Sequence, residues 1–136
     1  MTAVHGESDA PVAGVLRVAC IQLNTRQDVG GNVRAAVALV EEAADRGARL
    51  VALPETWAYK GRRDGIIATA EAPDGPSNRA VATAAAQRGM WLLAGSVYEP
   101  AAGGLVTNVS ALFDPAGELR AVYRKIHLFD ATSEAV

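Results

Sequence analysis

Glu55 and Lys125 are the residues of this chain whose types and surroundings could carry chemistry. Glu55 follows Pro54 directly behind the apolar run Leu50-Val51-Ala52-Leu53, and Gly47 precedes that run. The pattern predicts a short strand buried on both faces and ended by a residue without a ladder donor. The carboxylate then stands at the carboxyl end of a core strand, where open α/β folds place ligands, and a charge there must be paired or used. Lys125 comes 70 positions later (125 − 55), inside Tyr123-Arg124-Lys125-Ile126-His127-Leu128-Phe129-Asp130, where polar residues alternate with apolar ones. A carboxylate can take up and return a proton, and a fixed ammonium can stabilise an oxyanion where water is excluded. Each residue also has an ordinary explanation. A strand-end Glu can cap the following turn in solvent, and a Lys between apolar neighbours can snorkel. Over this separation only a sheet can bring the two together.

Composition narrows the setting. The 136 residues suffice for one domain or part of one, with 50% hydrophobic and 21% charged residues, the balance of a globular chain. A net charge of −2 supplies no basic patch, so no nucleic-acid partner is expected. The single Cys20 excludes an intramolecular disulfide, and the first residues carry Glu7 and Asp9 but no apolar run. With no signal peptide and no apolar segment of membrane-spanning length, a cytoplasmic protein without membrane partners is expected. Asn108-Val109-Ser110 matches the glycosylation pattern and reads as chance in such a chain.

The elements follow in order. Residues 1–14 lack periodicity and read as a flexible tail, leaving 15–136 as the domain. Residues 16–23 are a strand, ended by the turn residues Asn24, Thr25 and Asp28. Asn32 is expected to cap a helix with Val33, Val37, Val40 and Ala44 inward, closed by Gly47. Beyond the strand at 50–53, residues 57–65 read as a polar and aromatic loop, and Pro73-Asp74-Gly75-Pro76 as a turn. A second helix is expected from Ser77 to Gly89, with Ala80, Val81, Ala84 and Ala85 inward, then a strand at 91–97. Residues 106–113 and 119–123 form a hairpin around Asp114-Pro115-Ala116-Gly117-Glu118. The order β-α-β-α-β-β-β is α/β with an antiparallel extension.

Three of these places carry a resemblance: Gln22-Leu23-Asn24 after the first strand, Leu53-Pro54-Glu55 after the second, and the block from Tyr123 to Asp130 after the hairpin. Through them the chain resembles the nitrilase superfamily of carbon-nitrogen hydrolases, nearest to its branch of small cytosolic amidases. The resemblance implies a nitrilase-like α-β-β-α sandwich, incomplete in this chain, and hydrolysis of a small non-peptide amide or nitrile. It implies a Glu, a Lys and a Cys, with no metal and no cofactor. By motif the Glu falls on Glu55 and the Lys on Lys125. In that chemistry a thiolate attacks the carbonyl, the carboxylate takes the thiol proton and helps protonate the departing amine, and the ammonium holds the oxyanion. The family's Cys lies beyond its Lys, after a further strand. The chain therefore looks like the amino-terminal half of such an enzyme, inactive alone, with Glu134 a weak match for the family's second carboxylate. Cys20, in mid-strand, reads as a small inert buried hydrophobe. Trp57 and Tyr59 could line the substrate pocket or pack against its rim. His127 reads as a structural hydrogen-bonding residue. The family commonly pairs through its sandwich, so a homo-oligomer is an expected partner arrangement.

Two alternatives share parts of this pattern. A metal-dependent phosphoesterase of the endonuclease and exonuclease type would use Asn24 and Glu55 as magnesium ligands. Pro54 and the net charge fit it poorly, and the block from Tyr123 to Asp130 has no role in it. A non-catalytic truncated interaction module would explain the missing Cys. It would leave unexplained why both Glu55 and Lys125, charges costly to bury without use, are present.

Overall fold

The computed structural model describes residues 14–127. Its elements are β1 (Val18–Cys20), α1 (Val29–Asp45), β2 (Leu50–Ala52), α2 (Arg63–Ala68), α3 (Pro76–Gln87), β3 (Trp91–Leu93), β4 (Val97–Ala101), β5 (Leu105–Phe113) and β6 (Leu119–Arg124). β1, β2 and β3 run parallel, and β5 joins β3 antiparallel, with β4 and β6 antiparallel to β5. The tail expected over 1–14 falls almost wholly outside the described residues.

Alternation along the strands divides the sheet into two unlike faces. Val51 and Leu92 are fully buried, with Ala19 packed beside them, against Ala36, Val40 and Ala43 of α1 and Val81, Ala84 and Ala85 of α3. The register puts Val18, Leu50 and Trp91 side by side on the other face, with Cys20, Ala52 and Leu93 in the next row. That face is uncovered: Val18 is 47%, Trp91 40% and Leu93 41% exposed. The strand at 50–53 is thus buried on one face, not both, and Cys20 is exposed, not buried as expected. The cause is the same for both, since the helices cover only one side.

Several boundaries differ from the sequence expectation for identifiable reasons. Helix α1 is capped by Asp28, whose Oδ1 accepts the Gly31 N–H at 3.0 Å. Asn32, expected as the cap, lies inside the helix with its side chain buried. It accepts from Arg26 N at 3.1 Å and donates to Arg26 O at 2.8 Å and Ala58 O at 2.9 Å, tying two loops together. Helix α3 begins one residue before Ser77, at Pro76, with Gly75 as cap, because proline's preset φ suits the first helical position. Helix α2 begins inside the stretch 57–65 read as loop and runs on to Ala68. The strand expected over 91–97 breaks at Gly95, whose φ is +54°, so β3 and β4 pair with successive parts of β5. β4 continues beyond the expected strand end at Val97 and includes Pro100, which needs no partner for the donor it lacks.

β6 is fastened by two carboxylates. Asp114 accepts from Ala116 N at 2.8 Å, Glu118 N at 3.0 Å and Arg120 Nε at 2.6 Å. Glu99 on β4 takes a bidentate pair from Arg124 at 2.6 and 2.8 Å. The Glu118 N–H, followed by Arg120 and Ala116, holds the Asp114 carboxyl below its usual range against the effect of burial. The Arg124 hydrogen bond does the same for Glu99. Both folded-state values lie below those of the unfolded chain. The stability they contribute is therefore complete above the unfolded values of about 4, and is lost as pH falls through the lower folded ones. β6 is expected to loosen below about pH 4. Amide-exchange protection factors for 119–124 should fall before those of α1 as pH is lowered from 6, and a uniform fall would contradict this.

Candidate functional site

The turn that presents Glu55 is stitched to the break between β3 and β4. Leu53 N–H donates to Leu93 O at 3.0 Å, Ser96 N to Pro54 O at 3.3 Å, and Trp57 N to Ser96 O at 3.3 Å. Thr56, at φ +50°, donates its N–H to Ser96 Oγ at 2.9 Å. Gly95 makes this approach possible: a Cβ there would run into the Leu53 and Pro54 carbonyls, so only glycine fits both the contact and the positive φ. The Glu55 side chain is left pointing out, 61% exposed.

The second half of the site is built by register. Tyr98 on β4 lies opposite Asn108 on β5. Val109 lies opposite Arg124 on β6, so Asn108 and Lys125 are the next pair, and Lys125 N–H donates to Asn108 O at 2.9 Å. Tyr98, Asn108 and Lys125 therefore stand in a row across three strands on one face. Arg124 and Glu99 project to the opposite face and clamp β6 from behind. Lys125 Nζ donates to Glu55 Oε1 at 2.9 Å, and Asn108 Nδ2 donates to the same oxygen at 3.2 Å. Burial, then the Glu55 charge, push the Tyr98 phenol above its usual range, with Lys125 opposing. Its hydroxyl thus stays protonated at neutral pH. A carboxylate hydrogen-bonded to an ammonium and a neutral amide can move protons beside a fixed positive charge.

The carbon-nitrogen hydrolase family model matches residues 17–136. This chain belongs to the carbon-nitrogen hydrolase family. It is 39% identical over 114 residues to omega-amidase NIT2 of Homo sapiens, a stretch that is 84% of this chain and 41% of that relative. The chain thus spans less than half the length of the curated relatives of this kind. The NitFhit protein of C. elegans superposes with a TM-score of 0.75 at 28% identity, covering 83% of this chain and 28% of that one. A variant of the Nesterenkonia AN1 amidase, from the nitrilase superfamily, gives 0.74 at 25% identity, covering 90% and 47%. The six-stranded α/β arrangement is accordingly a nitrilase-type fold, of which this chain supplies part.

In this carbon-nitrogen hydrolase family member the sequence-expected residues are distributed unevenly. The structure brings Glu55 and Lys125 together. Trp57 and Tyr59 it places elsewhere: Trp57 is fully buried with its indole N–H on Ala94 O at 2.9 Å, and Tyr59 is 7% exposed. Of the two readings open for them, lining a pocket or packing, their burial fits packing. The Gly95 break frees the Ala94 carbonyl, and the Trp57 ring fills the core while capping it. Tyr59 packs its hydroxyl end against Gly61 and Gly65, where a Cβ would not fit. Asn24 and His127 are exposed. No group of three or more His, Cys, Asp or Glu side chains among the described residues is placed to hold a metal ion. No helix among them is long and apolar enough to cross a membrane. Leu128, Phe129, Asp130 and Glu134 lie outside the described residues.

Sequence reasoning missed Asn108 and Tyr98. A signal existed for the first, since an Asn in the middle of the apolar run 106–113 shares a face with Ser110 and points out of the pattern. It was read only as part of a glycosylation match.

Proposed function

We propose that the protein carrying this chain hydrolyses the terminal amide of a small non-peptide substrate by Glu-Lys-Cys chemistry, with Glu55 as the proton carrier and Lys125 as the oxyanion donor. The observation that carries the reading is the 2.9 Å contact between Lys125 Nζ and Glu55 Oε1 on the uncovered face of a nitrilase-type sheet. An amide carbonyl is a poor electrophile, so a thiolate is the suited nucleophile, and a carboxylate beside it can accept the thiol proton. Carbonyl oxygen gains negative charge on attack, and an ammonium already held in place meets that charge without reorganising. The thiol is assigned to a Cys outside these 136 residues. Cys20, expected in mid-strand, is the last residue of the edge strand β1, opposite Ala52 of β2, which itself precedes Glu55 by three residues. No metal or cofactor enters the scheme. The family match sets aside the phosphoesterase alternative, and the small terminal amide follows the omega-amidase relative.

The test is ammonia release from a panel of small ω-amides such as α-ketoglutaramate. The complete protein is expected to turn over, and the 136-residue chain alone is not. Turnover by the short chain that survives Cys20→Ser but vanishes in Glu55→Gln would sink the thiol mechanism. A complete protein inert towards every amide and nitrile offered would instead favour the interaction module.

A further inference from the structure

Glu55 has two carboxylate oxygens, and the structure treats them differently. Oε1 takes both the Lys125 ammonium at 2.9 Å and the Asn108 amide at 3.2 Å. Among the described residues Oε2 accepts no hydrogen bond. Asn108 is itself held from both sides, as the strand partner of Tyr98 and as the acceptor of the Lys125 backbone N–H at 2.9 Å. Its main chain is therefore fixed on the sheet, so its amide reaches Glu55 from a set position.

We propose that Asn108 is a positioning residue that fixes the Glu55 carboxylate and assigns proton transfer to Oε2. The proposal rests on the amidase reading above. An ammonium alone can track an oxygen through many orientations, because its three donors rotate about one bond. A second donor from a different strand removes that freedom. Together they occupy Oε1, so Oε2 is the oxygen left for chemistry. Oε2 then takes the thiol proton as the C–S bond forms and passes it to the amide nitrogen as the C–N bond breaks. In the second half it takes a proton from water as the C–O bond forms and returns it to sulfur as the C–S bond breaks. An asparagine suits the post because its amide donates while carrying no charge and losing no proton in the working range.

The test uses the complete protein with Asn108→Leu and the isosteric Asn108→Asp, assayed for ammonia release across pH alongside thermal melting. Asn108→Leu is expected to lower kcat about tenfold to a hundredfold while KM moves less than about threefold, because the acceptor is present but misaimed. Asn108→Asp puts a second carboxylate beside Glu55. Like charges there make the first proton harder to lose, so the acid limb of the kcat/KM profile should move to higher pH. Asp also answers the question if the Leu variant fails to fold. Wild-type kcat and an unmoved pH profile in both variants would overturn the proposal. So would a loss of activity no larger than the unfolded fraction read from the melting curves, with the pH profile of the folded remainder unmoved, since that marks a structural role only. An inert parent protein is a different failure, visible before any variant is made, and it removes the amidase reading itself.

Discussion

Glu55→Gln should abolish amide hydrolysis in the complete protein while leaving the fold intact. Gln keeps an oxygen for Lys125 and Asn108 and matches Glu in volume, but it cannot accept the thiol proton at any working pH. General base catalysis contributes about 10²- to 10⁴-fold, and here one carboxylate serves both halves of the reaction, so a loss of at least about 10³ in kcat is expected. Stability should barely change. The Glu55 side chain is 61% exposed, and an exposed ion pair is worth at most about 1 kcal/mol. Rapid-quench ammonia assays with melting curves on the same sample separate the two effects. Retention of a tenth or more of the parent rate would remove Glu55 from the chemistry.

Lys125→Met should be nearly as damaging, for a different reason. The side chain keeps its length and apolar stem but loses the charge that meets the oxyanion. Removing one preorganised oxyanion donor typically lowers kcat about 10²- to 10³-fold. KM should change little, because a neutral ground-state carbonyl makes less of the ammonium than an oxyanion does. Lys125→Arg is not expected to rescue. The guanidinium is wider and planar, so it would meet Glu55 side-on and displace the Asn108 amide from Oε1. An Arg variant with wild-type kcat would mean that any cation suffices, and that the point charge on Lys125 Nζ is not what the site uses. β6 should stay in place in both variants, because Arg124 holds it through Glu99 on the opposite face.

The two residues proposed for the chemistry were legible in the sequence because each is announced by its neighbours. Leu50 to Leu53 forces a strand and Pro54 ends it, so Glu55 has to emerge at the strand's end. The turn Asp114-Pro115-Ala116-Gly117-Glu118 starts the hairpin, but a register shift between Leu112 and Phe113 is what puts Lys125, rather than Arg124, opposite Asn108. The helix period in α3 was readable from local spacing, whereas α1 buries Asn32, Ala36, Val40 and Ala43 and leaves the expected Val33, Val37 and Ala44 only partly buried.

What stayed hidden depends on contacts between segments far apart in the chain. Asn32 looked like a cap until Arg26 and Ala58 claimed its amide. Trp57 looked like a pocket wall until the break at Gly95 offered it the Ala94 carbonyl. Cys20 looked buried because an apolar run implies cover on both sides, and only the tertiary arrangement shows both helices on one face of the sheet. The sequence by itself determined most of the strands and turns, and that Glu55 and Lys125 follow strand ends. Only the folded sheet decided that Asn108 joins them. The row of Tyr98, Asn108 and Lys125 is set by strand register, and the contact of Asn108 with Glu55 joins residues 53 positions apart, so no local pattern carries that information.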